Sequence, residues 1–139
     1  MISFEVKDVE LPSLDYEKVS LWLKLVADNF SKRIGNLNYL FCNDEEILEV
    51  NKKFLQHDYF TDIITFDYSH KTIVSGDIVI SLDTVKSNSE KFNEDYSKEL
   101  LRVIVHGLLH LCGVNDKGEG ERAIMENYEN ESLNIWNKI

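Results

Sequence analysis

Apolar and polar positions alternate at the start of the chain, where Ile2, Phe4 and Val6 are separated by polar residues, and this predicts a first strand. Pro12 and Ser13 then open a helix whose inner side carries Val19, Trp22, Leu23, Val26 and Phe30. After Gly35, Leu37, Tyr39 and Phe41 alternate with Asn38, Leu40 and Cys42, predicting a second strand. Asn43 or Asp44 can cap a second helix, with Glu45 and Glu46 at its positive end and Lys52 and Lys53 near its close. Ile47, Leu48, Val50, Phe54 and Leu55 give that helix an apolar side.

Ile63-Ile64-Thr65-Phe66 is short, β-branched and aromatic and predicts a third strand, and Gly76 to Ser81 a fourth. Asp83 caps a polar helix reaching about Phe92. Leu100 to Leu111 is the most apolar run, as expected of a helix buried on nearly all sides, and Gly113 supplies its stop. Ile124, Met125, Tyr128, Leu133 and Trp136 mark a terminal helix. The expected fold is α+β: a small mixed β-sheet, with two hairpin-capable strand regions, packed with about five helices.

Composition narrows the class. The 139 residues, 43% hydrophobic and 29% charged, suit a single domain over 1–139 with its own core. One proline and six glycines leave no flexible linker, and no run is long enough to span a bilayer. Acidic residues interrupt the N-terminal stretch where a signal peptide needs an apolar one, and Cys42 and Cys112 are too few for a secreted disulfide framework. A cytoplasmic location is expected. The net charge of −10 excludes non-specific coating of nucleic acid, though not a local basic groove.

The candidate chemistry lies in His106-Gly107-Leu108-Leu109-His110-Leu111-Cys112-Gly113-Val114-Asn115-Asp116. His106 and His110 are four apart, so their rings leave one helix face and can meet a single ion. Gly113 lets the chain fold back, bringing Asp116 within reach as a third ligand. Two imidazoles and a carboxylate suit zinc, one ion per chain, with the fourth position open to water as in catalytic sites. The alternative is two buried histidines satisfied by carbonyls or carboxylates. Cys112, two residues beyond His110, falls on another face and is expected to pack.

His-x-x-x-His-x-x-Gly-x-x-ligand is also the frame of the metzincin proteases. Their general base is a Glu directly after the first histidine, where this chain has Gly107.

The same stretch resembles the signature of the YbeY family of bacterial metallo-endoribonucleases, His-Gly-x-Leu-His-Leu-x-Gly-Tyr-Asp-His, at His106, Gly107, Leu109, His110, Leu111 and Gly113. A second family segment, Asn-x-x-Tyr-Arg-Gly-x-Asp-x-x-Thr-Asp-Val-Leu-Ser-Phe, is similar to Asn51, Phe54, Leu55, Gln56, Asp58, Thr61, Asp62, Ile63, Ile64, Thr65 and Phe66. The third, Gly-Asp-Ile-x-Ile-Ser, runs from Gly76 to Ser81. The resemblance implies a zinc-dependent, single-strand-specific RNA endonuclease that matures the 3′ end of small-subunit ribosomal RNA and serves ribosome quality control. It further implies a metalloprotease-like core, with RNA and the small ribosomal subunit as partners and neither DNA nor membrane.

Three departures stand out. Asp116 replaces the family's third histidine, Val114 and Asn115 replace Tyr and Asp, and Leu55 replaces an arginine implicated in catalysis. A leucine cannot hold a phosphate, so Lys52, Lys53, Arg102 or Lys117 must stand in, or activity is weak. A ribosome-binding module with weak or no catalysis and a small hydrolase or peptidase are the alternative functions.

Further residues are weighed singly. His57 is a loop histidine that could instead contact phosphate. Asp58, Thr61 and Asp62 are expected to shape a turn. Met125 is expected in the core, and Glu119, Glu121, Glu126, Glu129 and Glu131 on a solvated helix face. Asp77 either orients a ligand histidine or satisfies a strand end.

Overall fold

The computed structural model describes residues 1–55 and 61–139. Gln56, His57 and Asp58, named above, lie outside them. In chain order the elements are β1 (Ile2–Val6), α1 (Tyr16–Asp28), β2 (Arg33–Cys42), α2 (Asp44–Leu55), β3 (Ile63–Asp67), β4 (Ile73–Ser81), α3 (Leu82–Lys91), α4 (Tyr96–Leu111) and α5 (Glu121–Lys138). The α+β expectation holds: four strands form one mixed sheet in the order β1-β2-β4-β3. Among the described residues only β3 and β4 pair as an antiparallel hairpin. β2, expected as hairpin-capable, runs parallel to both β1 and β4, because helical crossovers precede and follow it.

The two faces of the sheet follow from strand periodicity. Leu37, Tyr39 and Phe41 of β2 and Val74, Ile78 and Ile80 of β4 point into the main core, where α1 and α4 cover them and α5 packs on those two helices. Cys42, Ile64 and Val79 point the other way and meet Ile47 of α2. Few residues of α2 are sequestered: only Ile47 and Asn51 are buried, while Phe54 and Leu55, expected on its apolar side, are exposed.

Caps set several boundaries. α1 begins later than Pro12 and Ser13 predict, because Asp15 accepts from the Lys18 amide at 3.2 Å. Ser81 rather than Asp83 caps α3, and Asp83 instead accepts from the Asp44 amide at 3.0 Å. Asp95 caps α4 one turn ahead of the apolar run. No helix of the described residues is long and apolar enough to cross a membrane.

Candidate metal centre

α4 lies across the sheet with Ile104, Leu108 and Leu109 fully buried. It packs closely on the strands at Gly107, where an added Cβ would lie 2.9 Å from Ile78 Cδ1 and 3.1 Å from Ile63 Cδ1. The position that carries a glutamate in metzincins is here pressed against β3 and β4. A side chain there would have to displace the ends of Ile78 and Ile63.

The adjoining side of α4 carries His106 and His110, whose ring centroids are 4.6 Å apart at 83°. The helix ends at Cys112, and Gly113 takes φ +101°, a conformation other residues resist. The chain then turns back and delivers Asp116 to both rings. Asp116 Oδ2 is 3.4 Å from His106 Nε2, and Oδ1 is 3.4 Å from His110 Nε2. One ligand atom from each of the three residues lies within 4.8 Å of the others.

These atoms fit a shared cation. Among the described residues Asp116 Oδ1 is buried and has no hydrogen-bond partner, and a buried carboxylate oxygen is costly in that state. His106 Nδ1 lies 2.7 Å from Glu129 Oε2. An ionised carboxylate only accepts, so Nδ1 carries a proton, and in the neutral ring Nε2 turns a lone pair toward Asp116. Acceptors facing each other at 3.4 Å call for a positive charge between them. The His110 imidazole is held below its usual range by burial and by His106, against the pull of Asp116, which favours the neutral ligand form.

Glu129 corrects the sequence reading. Expected on a solvated face, it is 6% exposed and joins His106 to Arg102, whose Nη1 donates to it at 2.9 Å. Burial opposes its charge, but the hydrogen bonds and charges of His106 and Arg102 outweigh that and hold its carboxyl below the usual range. Its signal in the sequence was helical spacing: Met125, Glu129 and Leu133 stand four apart on one stripe of α5. Asp77 does not orient a histidine; its Oδ1 accepts from Asn38 Nδ2 at 3.0 Å on the sheet.

The histidines and Asp116 open onto a cleft of about 390 Å³ between α2, β3, α4 and α5. Leu55, Thr61 and Asp62 line it, with the cations Arg102, Lys117 and Arg122. Arg102 and Lys117 were among the expected substitutes for the family arginine, and Arg122 was not. Lys52 and Lys53 lie on the exposed side of α2, with Lys53 Nζ 5.4 Å from the Phe54 ring. Thr61 shapes the entry to β3 by donating to the Ile63 carbonyl at 3.3 Å. Met125 and Cys112 are buried in the core, and burial pushes the Cys112 thiol up to about 11.

Comparison with known proteins decides the lineage. The family model described as Endoribonuclease YbeY matches residues 1–137. The chain belongs to the YbeY family. Endoribonuclease YbeY of Parabacteroides distasonis is 55% identical over 134 residues, spanning 96% of this chain and 94% of that one. The Bacteroides fragilis YbeY is 54% identical over 132 residues, covering 95% of each chain. A Thermotoga maritima protein solved in solution superposes on 99% of this chain and 93% of its own, with a TM-score of 0.70 and 27% identity.

Proposed function

We propose that residues 1–139 act as a single domain, a zinc-dependent endoribonuclease that cleaves single-stranded RNA in the cytoplasm and matures the 3′ end of small-subunit ribosomal RNA. Membership of an endoribonuclease family makes the chain an RNA-cleaving hydrolase. The observation that carries the metal assignment is the convergence of His106, His110 and Asp116, with Oδ1 of the last buried and unpartnered among the described residues. Zinc is supported by the donor set, since two imidazole nitrogens and a carboxylate are ligands it prefers, and nitrogen–oxygen separations of 3.4 Å leave the three side chains close enough to share one ion.

The ion, once held by these three residues, would supply Lewis acidity toward a phosphodiester oxygen or a water. The chain's own residues do the rest. Glu129 keeps the proton on His106 Nδ1, and the cations of the cleft attract the RNA backbone and offset charge that develops at phosphorus. Gly107 leaves no side chain at the peptidase base position, and nothing favours peptide hydrolysis.

Purified protein incubated with single-stranded ribosomal RNA, beside a His110→Ala variant, tests the reading. The unsubstituted chain is expected to cleave and the variant to lose cleavage. Equal cleavage by both would assign the activity elsewhere. Elemental analysis of protein prepared without added metal is expected to find zinc at about one ion per chain, the count a three-ligand site implies.

A further inference from the structure

α4 and α5 are tied together at the metal centre by one carboxylate. Glu129 spends Oε2 on His106 Nδ1 at 2.7 Å and Oε1 on Arg102 Nη1 at 2.9 Å. One residue further along α5, Asn130 Oδ1 accepts from Arg102 Nη2 at 3.0 Å. Arg102, His106 and His110 recur every four residues on α4, so the guanidinium borders the same cleft as the two rings. Two of its five N–H groups are engaged among the described residues, and the others remain for an incoming anion. Leu55, which also lines the cleft, has no charge to offer.

We infer that Glu129 is a positioning residue with two tasks: it fixes the His106 tautomer that offers Nε2 to the metal, and it aims Arg102 at a phosphate of the bound RNA. The first task follows from exclusion. A neutral imidazole has one N–H, and a carboxylate that accepts it at Nδ1 leaves only Nε2 for the ion. The second follows from geometry. An arginine gripped on two nitrogens loses little further freedom when a phosphate meets the rest of its fork. The inference rests on the metal reading above and adds a division of labour between the two oxygens of one side chain.

Substitutions separate the tasks. Zinc affinity is read by competition with a chromophoric chelator, RNA affinity by anisotropy of a labelled, non-cleavable single strand, and folding by circular dichroism. Glu129→Ala should bind zinc about 10–100-fold more weakly, the usual cost of losing such a partner. In Glu129→Gln the amide oxygen still accepts from His106, so most zinc affinity should survive. Its NH₂ group would face the donors of Arg102, so RNA affinity should fall toward that of Arg102→Ala, which itself keeps zinc affinity. Wild-type zinc affinity in a folded Glu129→Ala protein, or wild-type RNA affinity in Glu129→Gln, would overturn the inference.

The unsubstituted chain provides a check that needs no variant to fold. Proton–nitrogen correlation spectra of the metal-free protein above the imidazole titration should show His106 protonated at Nδ1, and an Nε2–H tautomer would refute the positioning role. A wild-type chain that binds no zinc at all would instead bring down the metal reading, and this inference with it. Tight wild-type binding matched by Glu129→Ala brings down the positioning role alone.

Discussion

The Tyr39 hydroxyl, wholly buried on β2, donates to the Ile104 carbonyl at 2.8 Å and so ties α4 to the sheet two residues before His106. Burial pushes its ionisation far above the ordinary phenol range, so it remains a donor at every working pH. Removing the hydroxyl loses one buried hydrogen bond but leaves the carbonyl its helical partner. Tyr39→Phe should therefore cost about 1 kcal/mol, read as a lower urea midpoint at unchanged slope. A loss above about 3 kcal/mol would mean that the helix had shifted.

Gly107 separates this chain from a peptidase by packing rather than by chemistry alone. A side chain there would press on Ile63 and Ile78, the latter fully buried. Gly107→Glu should thus fail to create peptide hydrolysis and should cost several kcal/mol, adding overpacking to an unpaired buried charge. A variant that melts with the wild type would show that the contact yields.

Gly113 turns the chain toward Asp116 at a φ of +101°. An added Cβ would meet nothing within 4 Å, so the expected penalty is backbone strain alone. Gly113→Ala should cost about 1–2 kcal/mol, and zinc affinity should fall alongside because the loop that brings Asp116 to the histidines is strained. Loss of stability with intact zinc affinity would separate the turn from the site.

Metal loading should also govern RNA binding, apart from cleavage. Among the described residues the cleft sets the carboxyls of Asp62, Glu99, Asp116 and Glu129 against the cations of Arg102, Lys117 and Arg122. A divalent ion at the histidines reverses that balance. Unit charges about 4 Å apart near a surface interact by about 4 kcal/mol. Chelation should therefore weaken binding of a non-cleavable single strand at least about tenfold, and restored zinc should recover it. Equal anisotropy curves with and without metal would refute this.

The legible part of the molecule was the part carried by local spacing. Alternation exposed β1 and β2, and the apolar run exposed α4 with both histidines on one face, because these periods belong to single elements. Asp116 was reachable because a glycine follows the helix within one turn. Glu129 was not read correctly because its partners, Arg102 and His106, belong to another helix, and its spacing with Met125 and Leu133 was the one mark of burial it carried among exposed glutamates. Phe54 and Leu55 misled in the opposite sense: their helical spacing implied a buried side, but α2 covers only a narrow strip of the sheet through Ile47. Strand order was equally beyond the local pattern, since parallel pairing is set by crossovers.

Alkaline pH should destabilise the fold through its thiols. Burial, reinforced by the carboxylates of Glu46, Asp44 and Asp83 against the weaker pull of Lys7, raises the Cys42 thiol from 9.0 to about 12. Cys112 rises to about 11, chiefly through burial. A raised acid keeps its proton in the folded state while the unfolded chain releases it, so the unfolded state binds fewer protons once the pH passes 9. The thiol contribution is thus fully present below pH 9 and is lost as the pH climbs toward 11 and 12. Unfolding free energy measured between pH 9 and 10 should fall with pH, and Cys42→Val with Cys112→Ala should remove the thiols' share of that slope, leaving the share of the raised phenols of Tyr16, Tyr39 and Tyr96. Iodoacetamide at pH 9 should label the unfolded chain readily and the native one slowly, since the buried thiols remain protonated. Rapid native labelling at both positions would contradict the raised values, and an unchanged slope in the double variant would place the alkaline loss elsewhere.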